Sequence, residues 1–411
     1  MAMRIRIISG LVLFAFATMH LINVALGLHS IALMDRANPF LMGPWTSTAG
    51  GMILFACLAA HFALGLAAIY RRNTLRLSPI DAVQLLAALA IVPLLTPHVV
   101  GTAIAGQFGI RNNFSTLIPY FWIDAPSEGL RQVLLLAFLW IHGCVGVFTW
   151  MRIQRWWRRI GGFLYPLAVA VPVLGMLGFV QAGKEAIARL ADPAAFPPLP
   201  APPPMELTLP FDEILAILSR INWTVFIVYL AVIAGIFIAR AWRLSGERRH
   251  VRIAFVGGPV LDTTTGLNIL ESARLNHVPI ANLCRGRGRC GTCRVRILEA
   301  SAQLAPPSAS EAGTLARLGA PPDVRLACQF EPPAGTFRVE RLLSPFMRPR
   351  ELHQAAGRTP DEAEPWRQTQ HERRIAFLAL ACLLGDPGVQ EWLRQNAAGT
   401  SSPSLAGQTF H

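Results

Sequence analysis

Six long apolar runs constrain this chain more than anything else in it. They cover approximately residues 7–29, 47–70, 80–104, 130–151, 162–182 and 213–240. Crossing the hydrocarbon core of a membrane as a helix takes about 20 mostly apolar residues, and each run meets that length. The first follows Arg4 and Arg6 and stays apolar from Ile7 to about Leu33, interrupted by His20, Asn23 and His29. It is too long for the apolar part of a cleavable signal and lacks a small-residue cleavage site, so it reads as the first span. Charged residues make up 15% of the chain, against roughly 25% in a soluble domain. The net charge of +13 does not point to nucleic acid, because the arginines flank apolar runs instead of forming a basic stripe on one folded face.

The same arginines orient the spans. Arg4, Arg6, Arg71, Arg72, Arg76, Arg152, Arg155, Arg158, Arg159, Arg240, Arg243, Arg248 and Arg249 fall on one side. The other side has Arg36, Arg111, Arg131, Lys184 and Arg189, several of them near Asp or Glu. By the positive-inside rule, both ends of a membrane domain spanning 1–245 are expected in the cytoplasm. The proline-rich stretch 191–204 then lies outside as a stiff, polyproline-like connection.

From about residue 250 the pattern changes. "VRIAFVGG" and "PVLDTTTG" read as strands joined by a Gly-Gly turn. "LNILESARLNH" has helical spacing, with Leu267, Leu270 and Leu275 on one face. "CRVRILEA", "DVRLACQF" and "GTFRVERLL" read as further strands, and "SEAGTLARLG" as a short helix ending in glycine. These elements make a compact α+β domain at 250–345. Residues 346–371 are polar and proline-rich and read as a linker, and 372–411 as a tail opening on one more apolar piece.

The α+β domain carries the spacing C-x5-C-x2-C, at Cys284, Cys290 and Cys293, and then Cys328. Structural zinc usually takes two paired knuckles, and here there is one pair with two singletons. A disulfide is unusual in a cytoplasmic domain, and a thioredoxin-like C-x-x-C expects a different surrounding fold. A [2Fe–2S] cluster needs four thiolates, three of which can come from one loop wrapped around it. Gly286, Gly288 and Gly291 suit such a loop, because glycine permits close backbone approach and positive φ. Zinc and free thiols stay as the alternatives. Of the other cysteines, Cys57 and Cys144 lie in apolar runs and read as small hydrophobes, and Cys382 is in the tail.

Five histidines lie in or near the spans: His20, His29, His61, His98 and His142. Ionisable groups within lipid are costly and usually functional. Acidic partners are almost absent from the spans, so a proton pump lacks its usual parts. At 1.5 Å of rise per residue, His20 and His98 fall together towards the outer half. His61 and His142 fall together on the cytoplasmic side of the middle. His29 is near the outer boundary without a partner at its depth and reads as a polar interface residue, or at most as part of a quinone site. Spacing leaves haem ligation and polar interhelical packing both open. No C-x-x-C-H occurs, so covalent c-type haem is not indicated.

The cysteine loop, one residue longer than the plant-type spacing, resembles the adrenodoxin-type ferredoxins, as does "RLACQ" around Cys328. The resemblance implies a β-grasp domain over about 250–345. That type carries an acidic docking face, whereas this loop holds Arg285, Arg287, Arg289, Arg294 and Arg296, so a standard basic-faced reductase is not the expected partner. The order "ISGLVLFAFATMHLINVALGL", "HFALGLAAIYRRNTLRL", "LLTPHVVGT", "WIHGCVGVFTWMRI", "VLGMLGFVQAG" and "NLCRGRGRCGTCRVRI" resembles the membrane anchor and ferredoxin module of redox-regulated bacterial adenylate cyclases. That anchor is similar to the dihaem cytochrome b subunits of the succinate dehydrogenase and fumarate reductase family. The resemblance covers roughly 1–345. It implies two haems b on His20, His61, His98 and His142, exchange of electrons with quinone or quinol, and a place in the bacterial inner membrane. "HERRIAFLALACLLGD" resembles the opening of a cyclase domain, but the expected metal-binding aspartate is missing and about 25 residues follow Asp386. No adenylate cyclase activity is expected of this chain.

The expected architecture is a multi-pass bundle of six transmembrane helices followed by an α+β ferredoxin-type domain. The leading functional expectation is electron transfer between membrane quinone or quinol, two haems b and a cytoplasmic [2Fe–2S] cluster. The rival is a redox sensor that signals through 346–385 to a separate output protein. Expected partners are membrane lipid, the quinone pool and a cytoplasmic redox or output protein, and a homodimer is compatible with either reading.

Overall fold

The structure, a computed structural model, describes residues 2–110, 112–151, 157–196, 199 and 206–346. Its first part is helical: α1 (Ala2–Ala25), α2 (Ile31–Leu41), α3 (Gly43–Thr46), α4 (Thr48–Tyr70), α5 (Pro79–Val99), α6 (Ala105–Gln107), α7 (Phe114–Pro119), α8 (Pro126–Met151), α9 (Trp157–Ala191) and α10 (Phe211–Leu244). Six helical stretches are long and apolar enough to cross a membrane: Met3–Leu28, Thr48–Tyr70, Pro79–Gln107, Pro126–Met151, Ile160–Ala191 and Phe211–Leu244. Each apolar run of the sequence forms one of them. Their outer faces remain apolar, with Phe55, Phe163, Ile238 and Trp242 largely exposed. Patches of this kind mark an interaction surface, and on helices apolar all round that surface is lipid. The protein is a multi-pass membrane protein.

The apolar stretch that continues past the first span to Leu33 does not extend it as one helix. After α1 a 3-10 turn at Leu26–Leu28 intervenes, and Ser30 then caps α2 by accepting the Leu33 N–H at 3.2 Å. A serine at the N-cap satisfies an otherwise unpaired donor and lets the chain restart at a new angle. On α2, the Asp35 carboxylate takes the Phe114 N–H at 2.7 Å and the Ser115 N–H at 3.0 Å at the start of α7. Hydropathy alone reads through such a break.

Within the bundle α1 packs on α4, α8 and α9, α5 packs on α8, and α10 lies against α4 and α5. Helix α5 carries Pro93 and Pro97 and runs on into a π-helical stretch at Val100–Ile104. Each proline removes a backbone donor from the ladder, and π-stretches occur often at functional sites.

Residues 245–249 separate α10 from the strands and helices that follow. These are β1 (His250–Phe255), β2 (Val260–Thr264), α11 (Ile269–Leu275), β3 (Arg294–Ala300), α12 (Ala309–Arg317), β4 (Val324–Leu326) and β5 (Gly335–Arg341). They form a five-stranded sheet in the order β2-β1-β5-β3-β4. The chain divides into two units, one of Met1–Arg252, Asp262–Leu275 and Glu331–Gly335, the other of Ile253–Leu261, Asn276–Phe330 and the residues from Thr336 on. β3 runs antiparallel to β4, with Val295 opposite Arg325, and antiparallel to β5, with Ile297 opposite Val339. Buried and outward residues alternate along β1 and β5, as the two-residue period of a half-buried strand requires. Ile253, Val295, Leu326, Phe330, Phe337 and Val339 are fully buried, and the Phe330 and Phe337 rings meet edge to face at 6.3 Å.

The stretch "DVRLACQF" is a strand only over Val324–Leu326. Gln329 and Phe330 both donate their N–H groups back to Leu326 O, at 2.8 and 2.9 Å, and this turn carries Cys328 away from the ladder. The expected linker 346–371 and tail 372–411, with its cyclase-like stretch and Cys382, lie outside the described residues beyond Phe346.

Candidate functional site

The loop between α11 and β3 brings Cys284, Cys290 and Cys293 to the turn holding Cys328. All four are buried, none more than 7% exposed, and none is in a disulfide. They stand as two pairs. Cys293 Sγ lies 3.3 Å from Cys328 Sγ, and the Cys290 thiol is hydrogen-bonded to Cys284. Each pair shares a proton unequally. The Cys290 thiol holds Cys284 well below its ordinary value, at about 5, against the opposing effect of burial and with help from backbone N–H groups of Arg289, Cys290 and Arg287. Cys290, as the donor, is pushed up. Cys328 is lowered by the Cys293 thiol, and Cys293 is raised for donating to it. Burial alone would raise every one of these thiols, so the N–H groups aimed at sulfur create room for negative charge.

The loop conformation explains that donor set. Gly286, Gly288 and Gly291 all have positive φ, at 80°, 64° and 69°, and so has Arg285, at 56°. At Gly291 a Cβ would also collide with the Leu318 side chain, so both backbone angle and space exclude other residues there. Thr292, buried to 1% exposure, accepts the Leu283 N–H at 2.9 Å. Its hydroxyl lies 3.1 Å from Cys290 Sγ, and its own N–H points to the same sulfur at 3.5 Å. Helix α12 pins the loop from outside. Thr314 Oγ1 donates to Gly288 O at 2.5 Å and Arg317 Nη2 to Arg289 O at 2.9 Å. The Gln329 amide donates to Gly286 O at 3.3 Å and lies 3.7 Å from Cys328 Sγ.

Two sulfur pairs suit two metal atoms better than one. Among the described residues no three or more His, Cys, Asp or Glu side chains gather as they would around a single ion, which is the arrangement zinc requires. Two thiolates on one tetrahedral metal at bonds of about 2.3 Å stand roughly 3.8 Å apart. The 3.3 Å between Cys293 and Cys328 needs only a small opening to reach that. A [2Fe–2S] cluster takes four thiolates, and two per iron is what this loop and turn present.

The arginines around the loop divide. Arg296 leaves it for the sheet, pairing with Asp323 at 3.2 Å and Glu340 at 3.0 Å. Arg285, Arg287 and Arg289 stay in the cysteine loop, partly exposed.

In the helical part, the rings of His20 and His98 are 5.9 Å apart, and those of His61 and His142 are 6.1 Å apart. These are the partners that equal depth assigns. Each pair reaches across the bundle, α1 to α5 and α4 to α8, between helices that do not pack closely on each other among the described residues. A metal held between two imidazoles at about 2 Å from each nitrogen puts the ring centres roughly 6 Å apart. The second nitrogens are engaged. His61 Nδ1 lies 3.1 Å from Arg6 O, His142 Nδ1 3.2 Å from Gln84 O, and His98 Nδ1 2.8 Å from the Gln132 side-chain carbonyl. An Nδ1–H given to a carbonyl leaves Nε2 as the free lone pair, the usual state of a metal-ligating histidine. A Cβ at Gly10 would stand 2.8 Å from His61 Cε1, so only glycine lets α1 approach that ring. His29, by contrast, is exposed, and among the described residues its ring nitrogen reaches only the Ser30 hydroxyl, at 3.4 Å.

Thr292, Thr314, Arg317 and Gln132 were not read from the sequence. Thr314 and Arg317 are three apart on α12, a face that could have been drawn, but its target is fixed only by the tertiary fold. Residues 259–333 match the family model described as the 2Fe-2S iron-sulfur cluster binding domain. With all four cysteines inside that match, the chain carries a [2Fe–2S] ferredoxin domain following its six apolar helices.

Proposed function

We propose that this protein passes electrons between the membrane quinone pool, two haems b and the [2Fe–2S] cluster. The observation that carries the haem part is the pair of interhelical histidine couples, at 5.9 and 6.1 Å between ring centres, with Nδ1 of three of the four bound to carbonyl oxygen. His20 with His98 would hold one haem, and His61 with His142 the other. When bound, haems and cluster supply one-electron chemistry, and the protein supplies position and field. The histidines would fix the depth at which each haem is held in the bundle. Gly10 keeps α1 close to His61, and the carbonyl acceptors set the tautomer. Around the cluster, Cys284, Cys290, Cys293 and Cys328 are the ligands, and N–H groups from Arg287 to Cys290 oppose the cost of burying their negative charge. The arginine bias supports both termini of the helical domain lying in the cytoplasm of a bacterial cell, with the cluster on that side. The resemblance to the anchor of redox-regulated adenylate cyclases supports the same order of parts.

The test is a paired optical and EPR spectrum of the detergent-purified protein, oxidised and then reduced with a quinol analogue. Split b-type haem bands together with a reduced [2Fe–2S] signal are expected. A cluster signal without haem bands would overturn the proposal and leave the histidines as packing residues.

A further inference from the structure

The two histidine couples are built differently at their second nitrogens. His61 and His142 have backbone carbonyls as the nearest Nδ1 acceptors, Arg6 O at 3.1 Å and Gln84 O at 3.2 Å, which no substitution of those residues removes; the Ser9 hydroxyl and the Gln84 side-chain amide lie farther off, each at 3.4 Å. His98 gives Nδ1 to a side chain, Gln132 Oε1, at 2.8 Å and from the neighbouring helix α8. The other end of that amide, Gln132 Nε2, is buried and has no hydrogen-bond partner among the described residues, and Arg131 Nε beside it is in the same condition. A buried donor left unpaired is expensive, so Gln132 is not explained as packing. Its carbonyl end is committed to His98.

From this asymmetry we infer that Gln132 is a positioning residue that sets the reduction potential of the haem on His20 and His98 separately from the other. The inference rests on the dihaem reading. Its physical basis is that the acceptor on Nδ1 controls how much electron density the imidazole offers the iron, and second-shell hydrogen bonding is one of the few levers a protein has on haem potential. A stronger acceptor favours the oxidised iron, and a missing one favours the reduced. Gln132 and His142 are ten residues apart on α8, about 15 Å along the axis at 1.5 Å per residue. A change at Gln132 therefore leaves the second couple untouched.

The experiment is a potentiometric titration of the haem bands in the full-length, detergent-purified protein, comparing wild type with Gln132→Glu and Gln132→Leu. Haem content per chain is measured first. Gln132→Glu keeps the shape and strengthens the acceptor. At the ambient potential that half-reduces the affected haem in wild type, its reduced-to-oxidised ratio is expected to fall about tenfold, the lower end of second-shell effects. Gln132→Leu is expected to move the same component the opposite way, and the other component stays in place in both variants. Two haems with both components unmoved in Gln132→Glu would overturn the inference while leaving the dihaem reading standing. Equal movement of both components would overturn it too. Wild-type protein without b-type haem would overturn the dihaem reading and this inference with it. Should Gln132→Leu lose a haem, the shape-conserving Gln132→Glu decides.

Discussion

Removing Glu311 should cost the ferredoxin domain several kcal/mol although Glu311 touches no cysteine. Its carboxylate is fully buried and grips Arg325 at both ends, Nε to Oε1 at 2.9 Å and Nη2 to Oε2 at 2.9 Å. It also accepts the Leu326 N–H at 2.8 Å, while the Arg325 guanidinium lies over the Phe330 ring at 4.3 Å. Glu311→Ala leaves a buried guanidinium and a backbone donor unpaired in a space no water-filled surface reaches. Breaking a buried pair from one side costs about 3–5 kcal/mol. With a urea dependence of about 1–1.5 kcal/mol per molar for a domain of this size, the midpoint should drop by roughly 2–5 M. The assay is loss of the cluster's visible circular dichroism in the full-length protein against urea. Cluster release is irreversible, so midpoints are compared at one fixed incubation time. The double substitution Glu311→Met with Arg325→Met should recover most of the loss, since replacing both partners by apolar groups is often neutral. A single variant with the wild-type midpoint would refute the reasoning, because it would mean that Arg325 finds water or another anion without opening the fold.

Three further predictions concern the metal sites. Cys290→Ser should abolish the [2Fe–2S] EPR signal and leave the haem bands unchanged, and loss of haem as well would show that the two parts do not fold separately. His61→Ala should lower haem content by one of two, read as haem per chain after extraction; retention of both would remove His61 from the ligand set. Gly10→Ala puts a Cβ 2.8 Å from His61 Cε1 and should disturb the haem on His61 and His142 spectroscopically, with the other component of a redox titration unmoved.

What could be read from the amino acids divides along physical lines. Span positions were legible because membrane insertion depends on the length of an apolar run and little on its neighbours. The break after Ala25 was not, since it turns on one serine hydroxyl finding the Leu33 N–H. The cysteine loop was legible from spacing and glycine content, both of which are local. The grip of α12 on that loop, through Thr314 and Arg317, was not, because it needs the helix to be placed by the sheet first. β4 stops at Leu326 for a related reason: the residues after it serve the cysteine and not the ladder.

The histidines show the same boundary most sharply. Depth in a bundle follows from residue count, at 1.5 Å per residue, so His20 could be matched to His98 and His61 to His142 without knowing how any helix is rotated. Rotation decides the second nitrogen, and no count gives rotation. The α5–α8 contact supplies both answers reciprocally. Gln84 on α5 offers its carbonyl to His142 and its amide to His142 O at 3.1 Å, while Gln132 on α8 holds His98. One helix pair thus orients a histidine in each couple. Its two glutamines differ in one respect: Gln84 acts through an acceptor that belongs to the backbone, and Gln132 through one that a single substitution can change. A chain built this way can adjust one couple while the other keeps its place.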